Sequence, residues 1–304
     1  MKHTLKVTVA LVLFFFMAQF TGLLIINKYI DHAATIEAKE IVMKSLPYGI
    51  ERPEVKNQSI SFIYISIAIL IGTALVLLLA RFNKPFIWKF WFFITVWLTL
   101  SIAFAAFINS IAAAILALVI SLLKLYKPNI IIQNLSEIFI YGGLAAIFVP
   151  IINLFAAFML LIVISIYDFI AVFKTKHMVR LAKFQSKSKV FAGLLIPYER
   201  DKISVKAVPK PEIRNAPKTT PKSSVAVLGG GDIGFTLIFA GVVMKDSMLK
   251  EAILAGFLKT LIIPIFVSIA LLILLLKGQQ NKFYPAMPIL SIGCFLGYVV
   301  VLLI

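Results

Sequence analysis

Two aspartates stand inside long apolar stretches, Asp168 in SIYDFIAVFK and Asp232 in SSVAVLGGGDIGF. An acid deep in a membrane-crossing segment costs about 2.5–3.5 kcal/mol on insertion, so such residues face the interior of a helix bundle and mark function. Two carboxylates brought together cannot easily both ionise, and they share a proton. The ionised one can then act as general base on a water while the protonated one polarises a peptide carbonyl. A proton relay in a transporter needs the same pair. A structural pair satisfied by backbone or Tyr groups, in a binding or scaffold protein, is the third alternative. On charge alone, enzyme and transporter both stay open.

The chain that must position this pair has 304 residues, is 61% hydrophobic and has a mean hydropathy of +1.02. Soluble domains are about 45–50% apolar, so the composition defines a polytopic, all-α membrane protein. The net charge of +17 is concentrated: Lys174 to Lys222 holds thirteen Lys/Arg and three acids. Beside a membrane, such a loop is a topology signal and a contact for anionic headgroups. No recognition module accompanies it, so nucleic acid is excluded as a partner. Cys294 is the single cysteine, which rules out an intramolecular disulfide, and it reads as a small buried hydrophobe. His3, His32 and His177 have no metal-site spacing. No metal and no organic cofactor are expected.

Stretches near 7–26, 58–80, 86–106, 108–123, 134–151, 153–173, 225–244, 251–276 and 284–304 are the candidate spans, nine in all. The first is too long for a signal-peptide core and reads as a retained helix. Pro150 and Asn153 mark the turn between the fifth and sixth. With the N-terminus cytoplasmic, 22 of the 30 Lys/Arg fall on the inside, as the positive-inside rule requires. The C-terminus is then outside. This divides the chain into a six-helix part (1–174), a basic and largely disordered cytoplasmic loop (175–224) and a three-helix part (225–304), all one membrane domain. Within the loop, VFAGLLIPY (190–198) is too short to span; it either lies at the interface as an anchor, the simpler reading, or folds into the helix bundle.

Asp168 lies six residues before Lys174 and Asp232 eight residues after Ser224. At helical rise these are about 9 Å and about 12 Å from the cytoplasmic ends of two consecutive antiparallel helices. The two carboxylates therefore share a depth. Glu137, in NLSEIFIYGG, falls near the start of its span. There Ser136 or Asn134 would cap the helix and a first-turn acid would suit the dipole, so it reads as structural. Gly229, Gly230, Gly231 and Gly234 clear side chains from around Asp232. Pro285 and Pro288, in KFYPAMPILSI, bias the start of the last span toward extended backbone near the same depth.

Tyr167-Asp168, then Gly229-Gly230-Gly231-Asp232, then Pro285-Ala286-Met287-Pro288, in this order on these spans, resemble the presenilin / signal peptide peptidase family of intramembrane aspartyl proteases. The likeness covers essentially the whole chain and is closest in style to the archaeal presenilin homologues. It implies that Asp168 and Asp232 are catalytic. It also implies that Tyr167 and Gly229, Gly230 and Gly231 shape the site, and that Pro285, Ala286, Met287 and Pro288 help hold substrate. The substrates implied are transmembrane proteins in the lipid bilayer of the cell membrane, cut without obligatory partner subunits. Met287 departs from the leucine usual at that position and implies an altered substrate fit. Prepilin peptidases share a Gly-x-Gly-Asp element, but the Tyr-Asp and Pro-Ala-x-Pro placements count against them. Neither H-E-x-x-H nor G-x-S-x-G is present.

Overall fold

The computed structural model describes residues 4–175, 184–185, 188, 190–198, 225–278 and 284–304. Among the described residues, eleven α-helices and one hairpin form in chain order. The N-terminal helices are α1 (Leu5–Tyr29), the short α2 (His32–Ala38), α3 (Ser61–Arg81), α4 (Pro85–Ala105), α5 (Ser110–Tyr126), α6 (Ile130–Phe148) and α7 (Leu154–Ile170). The strands β1 (Gly193–Pro197) and β2 (Val225–Gly229) come next, then α8 (Gly230–Lys250), α9 (Ile253–Thr260), α10 (Ile262–Lys277) and α11 (Met287–Leu303).

Asparagines start several helices. Asn109, Asn129 and Asn153 accept from the N–H of Ile111, Ile131 and Ala156, satisfying donors that the first turn leaves unpaired. Pro85 opens α4, where its missing N–H costs nothing. Among the described residues, six helical stretches are long and apolar enough to cross a membrane: Leu5–Tyr29, Gln58–Arg81, Pro85–Ala105, Ile130–Ile151, Leu154–Lys174 and Ile253–Lys277. The other three expected spans differ. α5 and α11 are apolar but 17 residues long, and α8 carries Asp232, Lys245, Asp246 and Lys250. Large apolar side chains such as Leu70, Ile111, Phe155, Ile166 and Leu296 face outward, as a lipid-facing surface requires.

α8 is the centre of the bundle and packs on α1, α6, α7 and α11. α4 and α5 pack on each other and on α6, and α3 lies outermost against α7. Only Ser61 and Ile65 of α3 are buried. Phe158 of α7 joins Phe239 of α8 and Phe295 and Tyr298 of α11, with ring centroids 5.0, 5.1 and 5.2 Å away. Edge-to-face and offset contacts of this kind are each worth about 0.5–1.5 kcal/mol beyond burial. They fix the three helices that carry the two aspartates and the proline segment. Cys294 is fully buried in this core.

Two expectations fail here. Residues 225–229 are not helix but strand, paired antiparallel with 193–197 from Gly193↔Gly229 to Pro197↔Val225. VFAGLLIPY is thus no interfacial anchor: Gly193 to Ile196 are buried, with β1 packed on α6 and α1. Valine, leucine and isoleucine in a run of five suit a buried strand as well as a helix, and length alone excludes only the span. The expected disorder of the rest of 175–224 falls outside the described residues.

Candidate active site

Asp168 occupies the last turn of α7, where the helix widens into a π-turn over Ala171–Thr175. Its Oδ2 accepts from the backbone N–H of Met287 at 3.1 Å. The physical cause lies in α11: its first N–H, that of Met287, has no intrahelical acceptor and points at the acid. Pro288 sits in that first turn, where a missing donor is harmless. Pro285 and Ala286 lead in without regular structure. One turn before Asp168, Ser165 pairs its hydroxyl with Ser291 of α11 at 2.8 Å.

Asp232 is the third residue of α8 and lies in its first turn. The expected depth of eight helical residues is corrected by β2, because five of those residues are extended and the helix begins at Gly230. β2 leads directly into the turn that carries Asp232, with Gly229 as the residue before the helix. The turn that carries it is pinned from below. Gln19 of α1, fully buried, donates to the carbonyl of Ile233 at 2.9 Å and to Thr236 Oγ1 at 2.7 Å. Thr236 in turn donates to the carbonyl of Asp232 at 2.8 Å.

The glycines divide by what a side chain would meet. A Cβ on Gly230 would lie 2.3 Å from the Tyr141 hydroxyl, so only glycine fits there. On Gly229 and Gly231 the nearest atoms would be Asp232 Oδ2 at 3.4 Å and Phe235 at 3.5 Å, ordinary contacts. Gly193, opposite Gly229 in the hairpin, has φ +142°, and a Cβ there would meet the Leu228 carbonyl at 2.2 Å. It is a second required glycine that the motif does not include.

Glu137 is not a first-turn acid. α6 begins at Ile130 with Asn129 as its cap, which puts Glu137 at the eighth residue, buried. Its Oε1 accepts from Lys124 Nζ at 2.5 Å and Gln133 Nε2 at 2.9 Å, and its other oxygen accepts from the Tyr141 hydroxyl. Lys124 is equally buried and also reaches Ser136 Oγ at 2.9 Å. Gln133, Glu137 and Tyr141 recur every four residues, the spacing of one helix face. That polar stripe was the available signal for the network.

The Tyr167 hydroxyl donates toward Thr73 Oγ1 of α3 at 3.3 Å. The Met287 side chain is buried in the main core, and its backbone N–H is what reaches Asp168.

The structure thus holds Asp168 at the first backbone N–H of α11 and Asp232 just past the end of the hairpin. Residues 34–304 match the family described as signal-peptide peptidase, presenilin aspartyl protease, and the chain belongs to that family. It is an integral membrane protein and an intramembrane aspartyl protease. No curated protein matches the chain. Two solved structures of a presenilin family intramembrane aspartate protease share the fold. One, in space group C222, has a TM-score of 0.56 at 20% identity and covers 96% of this chain and 97% of its own. The other, in space group P2, has a TM-score of 0.59 at 18% identity and covers 97% and 96%. Family membership leaves the proton-coupled transporter without support.

Proposed function

We propose that Asp168 and Asp232 are the catalytic pair. The observation that carries this is how their helices pack: Phe158, ten residues before Asp168 on α7, meets Phe239, seven residues after Asp232 on α8, at 5.0 Å, so the C-terminal turn of one helix lies toward the N-terminal turn of the other. With one proton between them, the ionised carboxylate removes a proton from water as its oxygen attacks the scissile carbonyl carbon. The protonated one donates to the carbonyl oxygen. Collapse of the tetrahedral diol breaks the C–N bond, and the amine leaves with the returned proton. The backbone N–H of Met287 orients Asp168 throughout.

The substrates are transmembrane segments, unwound locally because a helix hides its carbonyls. Antiparallel alternation turns the main-chain groups of Val227 and Gly229 away from β1. No third strand covers that edge among the described residues. An extended substrate strand adds there by β-augmentation. Tyr167, Gly229, Gly230, Gly231 and the Pro285–Pro288 segment border that path.

α5, α8 and α11 complete nine crossings, since 17 residues span about 26 Å of a hydrocarbon core about 30 Å thick. The N-terminus and the 175–224 loop face the cytoplasm, and 225–304 forms a C-terminal part of three crossings, with α9 and α10 as one of them. The protein works in the cell membrane with no cofactor and no obligatory subunit. The test is replacement of each aspartate by asparagine, with cleavage of a transmembrane reporter as the readout.

A further inference from the structure

β1 has its outer edge closed by two buried amides of α6. Asn134 behaves toward Leu195 as a neighbouring strand residue would: its Nδ2 donates to the Leu195 carbonyl at 2.7 Å, and its Oδ1 accepts the Leu195 N–H at 2.8 Å. Gln133 Nε2 lies 3.0 and 2.9 Å from the carbonyls of Phe191 and Gly193. Gln133 and Asn134 are almost fully buried, at 6% and 3% exposure. Gln133 is itself held at Glu137 Oε1, the carboxylate that Lys124 and Tyr141 also engage.

We infer that Gln133 and Asn134 are specificity-determining positioning residues that set which peptide bond of the substrate is cut. The inference rests on strand addition at β2 and on the proposed Asp168–Asp232 pair. Its logic is register. A strand slipped by one residue turns its outward groups inward, so a two-bond grip on Leu195 fixes β1 along its axis. Five residue pairs then fix β2 to β1, ending at Gly193↔Gly229, three residues before Asp232. A substrate strand paired to β2 is therefore indexed, through β2 and β1, to two amides on α6. The same amides occupy the β1 edge, so only the β2 edge accepts a strand.

The experiment uses the full-length enzyme in bilayers with one transmembrane reporter, and mass spectrometry reads the product ends. Asn134→Leu and Gln133→Leu keep approximate volume and remove the amide bonds. In both, cleavage spreads to neighbouring bonds and the share of the principal product falls about two-fold or more, as expected from the loss of one or two net hydrogen bonds. A product ratio is independent of how much enzyme is folded, so a merely structural role would lower yield and leave the ratio unchanged. An unchanged ratio in variants that still cleave overturns the inference. Where either leucine variant fails to accumulate, Asn134→Ser and Gln133→Asn are read by the same ratio. Asp232→Asn separates the two levels. Cleavage surviving in that variant refutes the catalytic pair itself, whereas lost cleavage there with unchanged ratios in the amide variants refutes only the register role.

Discussion

Met287 donates its backbone N–H to Asp168 Oδ2 at 3.1 Å while its side chain packs into the core. The family resemblance implies that Met287, an adaptable apolar substitute for leucine, keeps function with an altered substrate fit. The polar contact to Asp168 comes from the main chain, which any residue but proline supplies. The side chain packs in the core.

Met287→Leu therefore cleaves a reporter within about two-fold of the wild-type rate and at the same bond, because volume-conserving core exchanges cost less than about 1.5 kcal/mol. A large loss of rate, or a moved cut site, would mean that the thioether touches substrate.

Gly230→Ala destabilises by about 1–3 kcal/mol, because its Cβ would overlap the Tyr141 hydroxyl. Gly231→Ala stays within about 0.5 kcal/mol, as its nearest contact is ordinary. Tyr141→Phe restores only part of the Gly230→Ala loss, since the ring atoms at 3.0 and 3.1 Å remain. Thermal unfolding in detergent measures all three. Equal effects at the two glycines would contradict the placement of Tyr141.

Much of this site is legible in the amino-acid sequence. The two aspartates stand out because charge is rare in apolar runs, and the order of three short motifs fixes their family. Asn153 is recognisable as a turn residue and does cap α7. What stays hidden is tertiary in origin. VAVLG reads equally as helix or strand, and only pairing with GLLIP decides it. Glu137 reads as a first-turn acid because the start of α6 is set by Asn129, ahead of the apparent apolar run. Gln133 and Asn134 carry no local pattern that would signal a strand across from them. Gly193 is a lone glycine in sequence and a necessary one only opposite Leu228 and Gly229.

Lys124→Met leaves the buried Glu137 carboxylate without its cation and costs about 3–5 kcal/mol. Adding Glu137→Met recovers part of that, because an uncompensated charge is removed even as Tyr141 and Gln133 lose an acceptor. Thermal unfolding of the single and double variants reads the coupling. A single variant as stable as wild type would show that the pair is not desolvated.

Val227→Pro deletes an N–H on the outward edge of β2 and leaves the β1–β2 ladder bonds in place, as proline on an edge strand allows. Cleavage of a transmembrane reporter falls about ten-fold or more, from a lost main-chain bond together with a bent edge. Tight binding of substrate and unchanged cleavage would place the substrate strand elsewhere.

The central claim is that Asp168 and Asp232 act as one unit on water, and the most direct measurement is cleavage of a transmembrane reporter by Asp168→Asn and by Asp232→Asn in bilayers. Each single replacement keeps the shape of the side chain and removes the shared proton's acceptor or donor. Both variants insert, retain the wild-type unfolding profile, and lose cleavage to background, with the double variant no worse than either single one. Cleavage by either single variant at the wild-type rate would contradict the account.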